Sequence, residues 1–218
     1  MRMMTALLAV AGIAGVANAD ITINEVLGST PGTDYEFIEL FNTGASAVSL
    51  TGWTIELWDS DTGGSFGGAD GGTPYALSGS IAAGGYWTLA NALAQSTLGF
   101  TADQTQAIAI ENSSYTMVLR DASSAVIETI FVWDSGVGDA ANIAGTPIVP
   151  DYTAGPDGSF LPAGFYRNGD ASPDLVIFEF DDASILAHAT PGSANIPAPA
   201  SLALLGIGCM AGARRRRA

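Results

Sequence analysis

The sequence predicts an all-β fold, an antiparallel β-sandwich, and three observations predict it. The 218 residues, 48% of them hydrophobic, are enough for one domain with a sizeable core. Between Asp20 and Ile196 the chain breaks into short apolar or alternating runs punctuated by Gly, Pro, Ser and Asp. No long segment repeats with the 3.6-residue period of a helix. Seven or more strands at this spacing pack as two sheets rather than one.

Strands are expected at 21–27, 36–42, 53–58, 86–90, 106–111, 115–120 and 126–133. In Trp53-Thr54-Ile55-Glu56-Leu57 apolar and polar side chains alternate, so one face is buried and the other wet. Asp121-Ala122-Ser123-Ser124-Ala125 is turn-rich and suits a hairpin. Residues 59–74 form a Gly-rich loop, and the irregular, Gly- and Pro-rich stretch 135–167 reads as a long insertion over the sandwich surface. Leu50 and Trp53 bracket a Thr-Gly turn, and Gly84-Gly85 permits a tight turn before Tyr86.

Charge is distributed unevenly. All 22 acids lie between Asp20 and Asp182, whereas five of the seven Arg sit at the two ends, and Lys is absent. The body therefore carries 22 acids against Arg120 and Arg167 alone. Such a surface repels phosphate backbones and attracts cations, which excludes a nucleic-acid partner. The single Cys, Cys209, lies near the C-terminus, so the body has neither disulfides nor thiol chemistry.

Residues 1–19 read as a secretory signal helix, with Arg2 as the positive region, an apolar stretch, and Ala17-Asn18-Ala19 as the cleavage site before Asp20. At the other end, Pro197-Ala198-Pro199 precedes 14 apolar or small residues and then Arg214, Arg215, Arg216 and Arg217. The apolar stretch reads as a short transmembrane helix, below the roughly 20 residues of a comfortable span and marginal with its flanks, and the four Arg would hold its end in the cytoplasm with the body outside. This tail, residues 196–218, resembles the PEP-CTERM sorting signal of exported bacterial proteins, with Ala198 where that motif has Glu. The resemblance implies an exosortase-type processing enzyme as partner, transient contact with the inner membrane, and a final place at the cell surface or outside the cell. A plain C-terminal anchor predicts the same topology with the helix retained.

The body, residues 20–195, resembles the lamin-tail domain, an immunoglobulin-like sandwich. The matching segments are Ile23-Asn24-Glu25-Val26, Tyr35-Glu36-Phe37-Ile38-Glu39-Leu40-Phe41-Asn42 and Val48-Ser49-Leu50-Thr51-Gly52-Trp53-Thr54-Ile55. Further along come Ile81-Ala82-Ala83-Gly84-Gly85-Tyr86, Val118-Leu119-Arg120-Asp121-Ala122 and the closing Thr190-Pro191-Gly192-Ser193-Ala194-Asn195, with Arg167 matched to the family's Arg. The resemblance implies a non-catalytic structural or binding role in the envelope or extracellular matrix. Asn24 and Glu25 read as side chains that bond neighbouring backbone rather than a ligand.

Three kinds of chemistry remain open. His188, the only imidazole, has no nucleophile elbow near it and reads as a surface or capping residue. Paired carboxylates admit a carboxylate-dependent hydrolase, although Glu36 and Glu39 fall on opposite faces of their strand. Asp59 and Asp61, with Asp70 at the position of a calcium loop's last ligand, form a candidate Ca²⁺ site, the one cofactor the residues suggest. Trp58, pointed away from the core by the alternation, is the candidate stacking residue if the domain is a carbohydrate-binding module for exopolysaccharide.

Overall fold

The computed structural model describes residues 21–69, 72, 74–156 and 163–195. The signal residues Ala17, Ala19 and Asp20, the tail residues Pro197 to Arg217, and Asp70 lie outside the described residues.

Two sheets face each other. The first has six strands, in the order β15 (Leu175–Phe178), β14 (Gly164–Arg167), β1 (Ile21–Leu27), β2 (Phe37–Asn42), β7 (Tyr86–Ala90) and β8 (Gln104–Thr105). The second has five: β13 (Tyr152–Ala154), β10 (Val126–Val132), β9 (Tyr115–Arg120), β4 (Thr54–Asp59) and β5 (Tyr75–Ala76). Among the described residues two short pairs complete the strands, β3 (Val48–Ser49) with β6 (Ser80–Ile81) and β11 (Asn142–Ile143) with β12 (Thr146–Pro147). Pairing is antiparallel except for β7–β8 and β10–β13.

The main core lies between the sheets. Ile23, Ile38, Leu40, Trp87, Leu89 and Phe165 from the first meet Ile55, Leu57, Met117, Leu119, Ile130 and Val132 from the second. Each such side chain contributes about 1.5–3 kcal/mol by leaving water. A second cluster covers the outer face of the six-stranded sheet, where Leu27, Phe37, Tyr166 and Phe178 pack against Ala94 of α1 (Ala92–Leu98) and Ile185 of α2 (Asp182–His188). That sheet is therefore buried on both faces.

A bulge in β1 decides which residues face which way. The ladder with β2 shifts between Ile23 and Glu25. Strict alternation along Ile21-Thr22-Ile23-Asn24-Glu25 puts Glu25 in the core; the extra residue turns Glu25 and Leu27 outward and sends Val26 inward.

Two sequence expectations are corrected. Residues 106–111 form no strand, although Ile108 and Ile110 are buried. Side chains take up this segment's backbone bonds in place of a ladder: the Ile110 amide donates to Glu36 Oε1 and the Ala109 amide to the Tyr75 hydroxyl. Nor is 135–167 simply a surface insertion, because it contributes β13 to one sheet and β14 to the interior of the other. Gly164 explains the close fit of β14, since a Cβ there would collide with the Val26 carbonyl oxygen. The turn before β7 forms as expected, with Gly84 at φ 63°.

Candidate functional site

Arg167 is wholly buried between the sheets. Its Nη2 donates to Glu128 Oε1 at 2.6 Å, its Nε to the Ile23 carbonyl at 2.7 Å and its Nη1 to the Ser172 carbonyl at 2.6 Å. The guanidinium carbon stands 4.5 Å from the centre of the Tyr152 ring. Glu128 accepts two further bonds, from the Ile23 amide and the Thr22 hydroxyl. Burial pushes the Glu128 carboxyl up, and the Arg167 charge pulls it back. One pair thus ties β10 and β13 of one sheet to β1 and β14 of the other.

The outer face of the six-stranded sheet carries a different arrangement. Glu25 and Glu39 are register partners across β1 and β2, and both are fully buried. The closing segment 190–195 lies over them. Thr190 donates through its amide and hydroxyl to Glu25, at 3.0 and 3.1 Å, and the Gly192 amide donates to Glu39 Oε2 at 2.5 Å. The Asn195 amide donates to Asp170 Oδ1, and the Asn195 side-chain amide to the carbonyls of Asn24 and Arg167. Asn24 Nδ2 is shared between Glu39 and Asp170, and the Tyr86 hydroxyl donates to Asp170 Oδ2. Burial, and then the neighbouring Glu39 charge, push Glu25 well above the usual carboxylate range. Burial, with the Asp170 charge adding to it, lifts Glu39 to about 7.

Asn24 and Glu25 therefore do bond backbone, but distant backbone rather than their neighbours': Asn24 Oδ1 accepts from the Ala171 amide and Glu25 from that of Thr190. The sequence marked the closing motif without a role, and nothing in it marked Asp170 or Tyr86 as partners. Parity offered one signal: Glu128 shares its strand face with Ile130 and Val132, which puts an acid into the core and calls for a cation.

The other candidates stand apart from this centre. Trp58 is half-buried on the outer side of the five-stranded sheet, as the alternation implied, and its Nε1 donates to Glu56. It borders a small cavity of about 50 Å³ that is also lined by Glu56, Leu57, Pro74 and Tyr75. Asp59 accepts from the amides of Asp61 and Ser65, and Asp61 from that of Gly63, so loop backbone already uses these oxygens. Among the described residues, no cluster of three or more His, Cys, Asp or Glu is arranged to hold a metal. His188 ends α2, exposed, with its ring 5.8 Å from that of Tyr166. Glu36 points away from Glu39, and burial raises it to about 7. Among the described residues no helix is long and apolar enough to cross a membrane.

A family model described as the lamin tail domain matches residues 15–133, more than half of the chain. No curated protein matches it.

Proposed function

The chain belongs to the lamin tail domain family, and from that premise we propose that it is an exported cell-surface or extracellular-matrix protein whose sandwich is a non-catalytic structural or binding module. The observation that carries the non-catalytic reading is where the buried carboxylates are spent. Glu25, Glu39 and Glu128 each accept from donors of the protein itself, and the Glu25–Glu39 pair is roofed by the closing segment rather than open to a substrate. A hydrolase acid pair must instead flank a cleft that admits the scissile bond and water.

Export rests on the sequence. A signal segment before Asp20 and a tail of Pro197-Ala198-Pro199, an apolar stretch and four Arg describe a protein delivered across the inner membrane and then handled by an exosortase-type enzyme. Intact-mass measurement on protein from the native host tests this. A surface pool that begins at Asp20 and lacks most residues after Pro199 supports the reading; a retained Arg cluster rejects processing and leaves a simple anchor.

The position of Trp58 favours a second reading, a carbohydrate-binding module for exopolysaccharide. Its ring lies off the core beside an apolar cavity, a setting suited to stacking on a sugar face. Binding on a glycan array that disappears in Trp58→Ala supports that reading, and an array without binding removes it.

A further inference from the structure

A sheet edge presents unpaired N–H and C=O groups, and folds blunt such edges by keeping them short or ending them at proline. Of the four edge strands of the two sheets, as far as the described residues show them, three are blunted in this way. β5 and β8 have two residues each, with Pro74 just before β5, and β13 has three and runs into Gly155-Pro156. β15 is the exception. It pairs with β14 in unbroken register, from Arg167 opposite Leu175 to Gly164 opposite Phe178. The Asn168 amide donates to the Asp174 carbonyl, so the alternation of the ladder turns the backbone groups of Asp174, Val176 and Phe178 toward β14 and those of Leu175 and Ile177 outward. Among the described residues no strand pairs with that outward side.

Both faces beside this edge are apolar, since Leu175 packs on the main core and Val176 on the outer cluster. Phe180 and Leu186, just beyond the strand, are exposed. The stretch 168–182 carries Asp170, Asp174, Glu179, Asp181 and Asp182 and no base, and neither Arg among the described residues pairs with any of them. An occupant suited to this edge is an extended segment, apolar on both faces, with positive charge at one end.

We propose that the free edge of β15 is the docking site of this chain's own tail: residues 200–213 add a strand beside β15, and Arg214, Arg215, Arg216 and Arg217 meet the acids around it. The tail has the composition, 14 apolar or small residues and then the chain's only run of positive charge. It also has the reach. Asn195, the last described residue, donates through its side chain to the carbonyl of Arg167, which lies one strand from Leu175. A strand outside β15 stands about 10 Å from β14, two strand spacings, and residues 196–199 extend to about 13 Å. Docked in this way, the apolar stretch leaves water without a membrane, so the docked chain is the form that precedes entry into a bilayer. Docking in buffer and cleavage after Pro199 in the host are separately observable, and either can fail without the other.

Amide exchange of the full chain in dilute low-salt buffer, read at single residues, tests the docking. With nothing on the edge, the Leu175 and Ile177 amides exchange at nearly the rate of an unprotected amide. We expect at least tenfold protection at both, unchanged over a tenfold range of protein concentration and weakened severalfold by about 0.5 M NaCl. The double variant Leu204→Pro, Ile207→Pro should return both amides to nearly unprotected exchange while β9 amides stay as they were. The two positions have opposite parity, so one of them loses a donor facing β15 whichever way the added strand is turned. Unprotected Leu175 and Ile177 amides in the wild type overturn the proposal, as does protection that survives the prolines or ignores the salt. Protection that grows with protein concentration assigns the edge to a second copy of the chain and overturns it too.

Discussion

Between the sheets Glu128 lies against Arg167 at 2.6 Å, while on the outer face of the six-stranded sheet Glu25 lies opposite Glu39 with no cation paired to either among the described residues. Both places bury carboxylates and supply them with backbone and side-chain donors. They differ in what accompanies desolvation: a guanidinium that opposes it in the first, further negative charge that adds to it in the second. In the first the guanidinium holds down the rise that burial imposes and the pair fastens two sheets, whereas in the second the acids are pushed further up and fasten a terminal segment. Hydrogen-bond satisfaction alone therefore does not tell what a buried acid contributes, because its charged neighbours set the size of its pH dependence.

Breaking the paired side should have the largest effect. Arg167→Ala leaves Glu128 buried without a counter-charge and frees the carbonyls of Ile23 and Ser172. We expect a loss of about 3–5 kcal/mol in urea unfolding at pH 7; a loss under about 1 kcal/mol means the pair does not join the sheets.

The unpaired side sharpens the contrast through pH. Stability contributed by Glu39 is complete below the ordinary carboxylate range and is lost as pH passes about 7, amounting to at most about 3 kcal/mol. The difference in unfolding free energy between wild type and Glu39→Gln should therefore move against the wild type from pH 5 to pH 8. A pH-independent difference contradicts a protonated outer cluster.

How much of this was legible in the sequence depended on whether local pattern or distant contact decided it. Strands β1, β7 and β9 were readable to the residue, because apolar periodicity and turn residues fix them locally. The segment around Ile108 and Ile110 alternates like a strand, yet Glu36 and Tyr75 side chains take the place of a partner strand. The β1 bulge turns Glu25 to the face opposite the one strict alternation gives, and only the pairing with β2 reveals it. Arg167 was recognised as a position but not as the partner of Glu128, 39 residues away. The closing motif ending at Asn195 was visible as a motif, while its purpose depended on acids up to 165 residues earlier.

A smaller effect is expected at that motif. Asn195→Ala strips donors from the buried carbonyls of Asn24 and Arg167 and should cost about 1–3 kcal/mol, measured by thermal or urea unfolding. An unchanged midpoint would show that the closing segment adds nothing to the stability of the sheet.

The smallest effect belongs to the Gly-rich loop. With Asp59 and Asp61 already taken by loop amides, millimolar Ca²⁺ at constant ionic strength should raise the Tm by no more than about 1–2 °C. A rise lost in the Asp59→Ala, Asp61→Ala double variant assigns ligation to that loop. A rise matched by Mg²⁺ and kept in the variant is diffuse binding to an acidic surface.

Side-chain carboxyl NMR across pH 4 to 9 compares the two sites most directly, since it reads each acid separately. The account predicts that Glu39 titrates near 7, with Glu25 also well above the ordinary carboxylate range and coupled to it, and that Glu128 titrates below both. Ordinary carboxylate titration of Glu25 and Glu39, or a Glu128 that holds its proton longer than either, would contradict it.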